Sequence, residues 1–204
     1  GNTDTSSGSG LYTINGDMII GAMTGSTGKA IVNGYTSLIT TGNLIIGAGG
    51  TGEMTLNQTS PHTVGNIRAG KVYIGGASET TQDPQFNGGT GVLNLKDSTL
   101  YADEIVVGSL GSGMLNISVS DIDKYLAGIT TKQIRRNTNA KPSSIYINGA
   151  EIEITENQSN LFAGFGANDT IKLDTQGVLF FTGKNTFSNP TSADVIINPN
   201  AVIT

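Results

Sequence analysis

The sequence predicts an all-β solenoid, a right-handed parallel β-helix, and three observations predict it. An apolar tripeptide ending in glycine recurs as Met18-Ile19-Ile20-Gly21, Leu44-Ile45-Ile46-Gly47, Val72-Tyr73-Ile74-Gly75 and Ile105-Val106-Val107-Gly108. Each copy runs into a glycine-rich turn and a second strand, at 28–33, 52–57, 91–96 and 113–118. The glycines that end the first strand are 26, 28 and 33 residues apart, a period at which self-similarity means stacked repeats.

Stacking the copies gives each column a direction. The first and third positions of the first strand are apolar throughout, from Met18 and Ile20 to Ile105 and Val107. The middle position admits Tyr73 and is expected to face outward. In the second strand Ala30 and Val32, Met54 and Leu56, Leu93 and Leu95, Leu115 and Ile117 alternate with Lys29, Glu53, Thr55, Asn94 and Asn116. That is period two, one face dry and one wet. A strand so short cannot bury its dry face alone, but strands stacked about 4.8 Å apart can.

Ile20, Ile46, Ile74 and Val107 should therefore form one buried column, and Val32, Leu56, Leu95 and Ile117 another. Outward columns become ladders of Asn and Thr, with Lys29 above Glu53 as a complementary step. Glycine suits the corners because tight turns demand positive φ. A β-propeller would need four antiparallel strands per repeat and a longer period, typically about 40–50 residues.

Taken in order, residues 1–12 are rich in Gly and Ser and read as a flexible lead-in or expression remnant. Residues 13–204 read as a β-helix fragment with two interruptions. The first, at about 76–87, is a corner insertion: Gly47 reaches Gly52 in five residues, Gly75 needs sixteen to reach Gly91. It carries Glu79, Asp83 and Phe86 as candidate binding residues. The second, at about 121–144, places Ile122, Tyr125, Leu126 and Ile129 at helical spacing behind a capping Ser120 or Asp121. It predicts a short helix and loop standing off the coil. Five of the chain's eleven basic side chains fall there, Lys124, Lys132, Arg135, Arg136 and Lys141, the remaining binding candidates.

Strand patterns resume at 145–147, 151–154, 170–173, 178–181 and 195–197, without the glycine signature. The chain lacks an initiator Met and ends while a strand is being written, so it reads as an excised piece of a longer protein.

Composition bounds the function. The chain has 204 residues, 36% hydrophobic and 29 of them glycine, which fits a narrow solenoid with much polar surface. A net charge of −5 argues against nucleic acid, whose binding rests on a basic footprint. No apolar run approaches the ~20 residues of a membrane helix, which predicts a soluble segment. There are no cysteines, which fits a cytosolic protein, chance, or an exported solenoid that must cross a disulfide-forming periplasm and a narrow outer-membrane pore.

The motifs that resemble chemistry read more simply as architecture. Gly47-Ala48-Gly49-Gly50-Thr51-Gly52 matches a dinucleotide fingerprint but leads into a strand, not the helix that would face a pyrophosphate. Gly65-Asn66-Ile67-Arg68-Ala69-Gly70-Lys71 matches most of a P-loop, yet Val72 replaces the magnesium-binding Ser or Thr. No nucleotide, cofactor or metal is expected. His62 is the only histidine and reads as a turn residue beside Pro61. Asp121 with Asp123, or Glu151 with Glu153, could pair for calcium or acid–base work. Glu151 and Glu153 share one face of an alternating strand and read more simply as its solvated side.

The phrase Leu44-Ile45-Ile46-Gly47-Ala48-Gly49-Gly50-Thr51-Gly52-Glu53-Met54-Thr55-Leu56-Asn57, echoed at 105–118, resembles the repeat of bacterial autotransporter passenger domains. It is most similar to the self-associating and host-binding adhesins of the type V secretion pathway. The resemblance covers about residues 16–118 and is general after 145. It implies a β-helical passenger at the bacterial cell surface or secreted, carried outward by a C-terminal membrane β-barrel. It implies self-association or a host or matrix ligand as partner. Some relatives are serine proteases, but this chain shows no Gly-Asp-Ser-Gly-like nucleophile site. The expected function is that of a non-enzymatic rod segment of a surface adhesin. A carbohydrate-active β-helix enzyme and a purely structural stalk are the alternatives.

Overall fold

The computed structural model describes residues 5–7, 10–34, 36–58, 65–77, 88–121, 123–137, 139–156, 162–174, 178–181, 194–197 and 202–203. Among them every regular element is a strand, and every strand pair is parallel.

The chain passes alternately through two sheets. The first orders β1 (Thr5–Ser7), β4 (Thr27–Asn33), β7 (Thr51–Asn57), β9 (Thr90–Lys96), β11 (Ser112–Ser118), β13 (Ser144–Asn148), β15 (Thr170–Leu173) and β17 (Asp194–Ile197). The second orders β2 (Gly10–Ile14), β5 (Thr36–Thr40), β8 (Gly65–Ile74), β10 (Ser98–Val107), β12 (Gly128–Arg135), β14 (Glu151–Ile154), β16 (Val178–Phe181) and β18 (Val202–Ile203). Two short strands, β3 (Met18–Ile20) and β6 (Leu44–Ile46), join the second sheet beside the C-terminal part of β8. The repeated phrase is therefore one half of a longer path. In β8 and β10 it fuses with the strand before it.

The expected registers are present. Ile20, Ile46, Ile74 and Val107 are consecutive partners and all buried. Val32, Leu56, Leu95 and Ile117 are consecutive partners in the first sheet and continue to Ile147 and Leu173. These columns belong to one apolar core running from Ile20 to Leu173, with Val32, expected to be buried, only half-buried against it. On the wet face Asn57 Nδ2 donates to Asn33 Oδ1 at 3.4 Å, and Asn94 Nδ2 to Thr55 Oγ1 at 3.2 Å. Asn116 Nδ2 donates to Asn94 Oδ1 at 2.8 Å, and Lys29 Nζ lies 3.0 Å from Glu53 Oε2.

The corner glycines stack as well. The amides of Gly47, Gly75 and Gly108 donate to the carbonyls of Ile20, Ile46 and Ile74 at 2.7–2.8 Å. Gly47 has φ 71°, and a Cβ there would collide with the Thr90 carbonyl.

Two expectations are corrected. The middle position of the phrase is exposed only in the first copy, where Ile19 is 46% accessible. Ile45, Tyr73 and Val106 are buried in a small second cluster with Ala48, on the opposite face of the strands from the main core. The hydroxyl of Tyr73 does not hold its ring in solvent, because an aromatic ring readily supplies apolar contact area.

The helix expected within 121–144 is absent among the described residues. A single turn closes at Asp121, whose carbonyl accepts from the amides of Lys124 and Tyr125 at 3.1 and 2.9 Å. Gly128–Arg135 is then a full strand, β12, paired with β10 on one side and β14 on the other. Ile129, Thr130, Thr131 and Ile134 are β-branched and lose rotamer freedom in a helix. A ready-made parallel partner outweighs four apolar residues at helical spacing. Most of the 76–87 insertion, with Glu79, Asp83 and Phe86, lies outside the described residues.

Candidate functional site, the outer face of the long sheet

In the second sheet Ile67, Leu100, Ile129 and Ile152 point into the core as one column. Alternation turns the next residue of each strand outward, giving the row Arg68, Tyr101, Thr130 and Glu153. The Arg68 guanidinium carbon sits 4.7 Å from the centre of the Tyr101 ring, within cation–π range. Thr130 Oγ1 donates to Glu153 Oε2 at 3.3 Å.

Two clefts open on this row and share Tyr101 and Thr130. One, of about 320 Å³, is bordered by Arg68, Ala102, Asp103, Lys132 and Thr155. The other, of about 220 Å³, is bordered by Thr99, Leu126, Ala127, Gly128, Glu151 and Glu153. Together they form a shallow groove across four paired strands. Its apolar surface comes from Tyr101 and from Leu126, which is 72% exposed. Gly128, paired with Thr99 and Glu151, adds no side chain to this face, and a Cβ there would come within 2.7 Å of the Glu151 carbonyl oxygen.

A second row flanks the groove. Glu104 stands between Lys71, its partner on β8, and Arg135 on β12. Burial alone would raise the Glu104 pKa. Hydrogen bonds from Arg135 and Lys71, aided by their charges, outweigh burial and hold it below the usual carboxylate value. Lys71 is held above the usual lysine value by its hydrogen bond to Glu104.

The five basic candidates of 121–144 do not form one patch. Lys124 pairs with Asp121 at 2.6 Å, and that hydrogen bond raises its pKa while lowering that of Asp121. Lys132 Nζ lies 3.0 Å from Asp103 Oδ1 and 3.8 Å from Glu156 Oε1. The Asp103 hydrogen bond raises the Lys132 pKa. Arg135 is committed to Glu104, and Lys141 Nζ donates to the Gly88 carbonyl at 3.1 Å. Arg136, expected at a binding surface, is almost enclosed and ion-paired with Asp169. Of the five, only Lys132 borders the groove.

Sequence reasoning missed Arg68 and Tyr101. They lie 33 residues apart, and neither belongs to the repeated phrase. The alternation Ile67-Arg68-Ala69 and Leu100-Tyr101-Ala102 was the available signal. Among the described residues no group of three or more His, Cys, Asp or Glu side chains is placed to hold a metal ion. No protein-family model, curated protein or solved structure matches this chain.

Proposed function

We propose that the chain is a segment of a right-handed parallel β-helix from a bacterial surface adhesin of the autotransporter passenger type. It attaches cells to one another or to host or matrix surfaces through the outer face of its long sheet, and turns no substrate over. The observation that carries the reading is the Arg68–Tyr101–Thr130–Glu153 row, lying in an open groove on strands paired along both edges. Such a surface is rigid and polar, and it offers contacts of modest individual value, ~0.5–1.5 kcal/mol per net hydrogen bond. Adhesion then depends on many copies displayed densely. The parallel registers and the stacked glycine corners support the helical architecture.

A second reading has a specific observation in its favour. Glu151 and Glu153 line the groove two residues apart on β14, a backbone spacing of about 7 Å. Carboxyl groups about that far apart serve inverting glycosidases. Here, however, neighbours on one strand stand side by side beneath a ligand, not on opposite sides of a scissile bond.

Displaying the chain on cells that do not clump, then measuring settling and attachment to matrix proteins, tests the first reading. Faster settling or attachment than bare cells is expected. Bare-cell behaviour together with polysaccharide cleavage by the purified protein would replace it with the second.

A further inference from the structure

We infer that the groove over Tyr101 is a binding site for an uncharged saccharide chain. The inference rests on the reading of this face as the one presented to a partner, and it names the ligand class.

Charge comes first. Arg68, Lys132 and Asp103 border one cleft of the groove and Glu151 and Glu153 the other, two cations and three carboxylates in all. Lys132 and Asp103 largely cancel one another at 3.0 Å. One net negative charge remains over the whole groove, too little to select a polyanion or a polycation.

The backbone comes second. β8, β10, β12 and β14 are each paired on both sides, so no strand edge is open to a peptide and main-chain augmentation is blocked. The groove has no deep pocket for a side-chain anchor. It continues past Tyr101 in both directions, as a chain ligand requires.

The donor and acceptor set comes third. Arg68 supplies guanidinium N–H donors and Glu151 and Glu153 supply carboxylate acceptors, while Thr99 and Thr130, whose hydroxyl protons go to Asn66 and Glu153, offer further oxygen acceptors. A sugar presents the complement, hydroxyls around its rim and C–H surface on its faces. The apolar partners for that surface are Leu126 and the part of the Tyr101 ring that Arg68 does not cover. Gly128, paired between Thr99 and Glu151, brings no side chain to this face. Carboxylates side by side under a ligand hold hydroxyls and break no bond, so binding without cleavage is the expected outcome.

The test is calorimetric titration of the purified chain with maltohexaose, cellohexaose, a β-1,3-glucohexaose and a mannohexaose, beside a heparin hexasaccharide and hexalysine. At least one neutral oligosaccharide should bind with a Kd of about 0.1–1 mM, since only a few hydrogen bonds and one ring are engaged. Tyr101→Ala and Glu153→Gln should each weaken it by about tenfold. Lys29→Ala, on the other sheet, should leave it unchanged. Circular dichroism of each variant confirms that it is folded.

Absence of binding by every neutral probe overturns the proposal. So does tighter binding of heparin or hexalysine, or unchanged affinity in folded Tyr101→Ala and Glu153→Gln. Settling and attachment run in parallel separate the two ideas. Displayed cells that clump while no saccharide binds would overturn the groove and leave the adhesin. Tyr101-dependent saccharide binding without settling or attachment would do the reverse.

Discussion

Arg136 and Asp169 form an enclosed ion pair, with Nε 3.0 Å from Oδ1 and side chains only 9% and 1% accessible. Asp169 also accepts the amides of Ser143 and Gly166, each at 2.7 Å. The Arg136 guanidinium donates to the carbonyls of Asn137, Gly164, Ala140 and Lys141. One pair thus ties the chain after β12 to the turn before β15.

Removing one partner leaves the other charge enclosed. Asp169→Ala should lower the unfolding free energy by about 3–5 kcal/mol, read from urea denaturation midpoints. A loss below about 1 kcal/mol would mean that water already reaches the pair.

The core column and the adjacent ladder should respond differently. Leu56 is fully buried, and Leu56→Ala should cost about 2–5 kcal/mol through lost burial and a cavity. Asn57→Ala removes a single long amide contact to Asn33 and should cost about 1 kcal/mol or less. Equal losses at the two positions would contradict the register.

Gly47 and Gly25 both have positive φ, 71° and 78°. Around Gly25 a Cβ meets nothing within 4 Å, whereas at Gly47 it strikes the Thr90 backbone. Gly25→Ala should cost about 1 kcal/mol from backbone conformation alone. Gly47→Ala must also push two strands apart and should cost well over that, with thermal unfolding as the measure.

Glu104 predicts the acid limb of stability. Its folded pKa lies below the ordinary value of 4.5, so its ion pairs contribute fully above that value. The contribution is lost as pH falls below 4.5 toward the folded pKa. Glu104→Gln should therefore be less stable at neutral pH, by about 1 kcal/mol for a partly exposed cluster, and flatter in acid. Denaturation midpoints between about pH 3 and 7 would show this. An unchanged acid slope would assign it to other carboxylates.

The columns through Ile46 and Leu56 were legible because like residues recur at period two and stack on their own copies. The burial of Tyr73 was not, since alternation tells two faces apart without telling whether the second is covered. β12 was hidden because Ile122, Tyr125, Leu126 and Ile129 mimic a helix, while its partners on β10 and β14 lie 29 and 23 residues away. Arg68 and Tyr101 face each other only through the pairing of β8 with β10. The first half of those strands carries no repeated phrase, so the groove was invisible until the register was known.

Parallel pairing has a consequence for how the chain is assembled. Among the described residues every bonded strand pair joins residues separated by 22 positions, as for Thr90 and Ser112, to 39, as for Thr51 and Thr90. Loop closure therefore costs nearly the same at each step, since it grows only with the logarithm of length. Structure laid down at any point can template the next strand. Folding can advance as a front along the chain, and adding strands to the two sheets would prolong the process without raising its barrier.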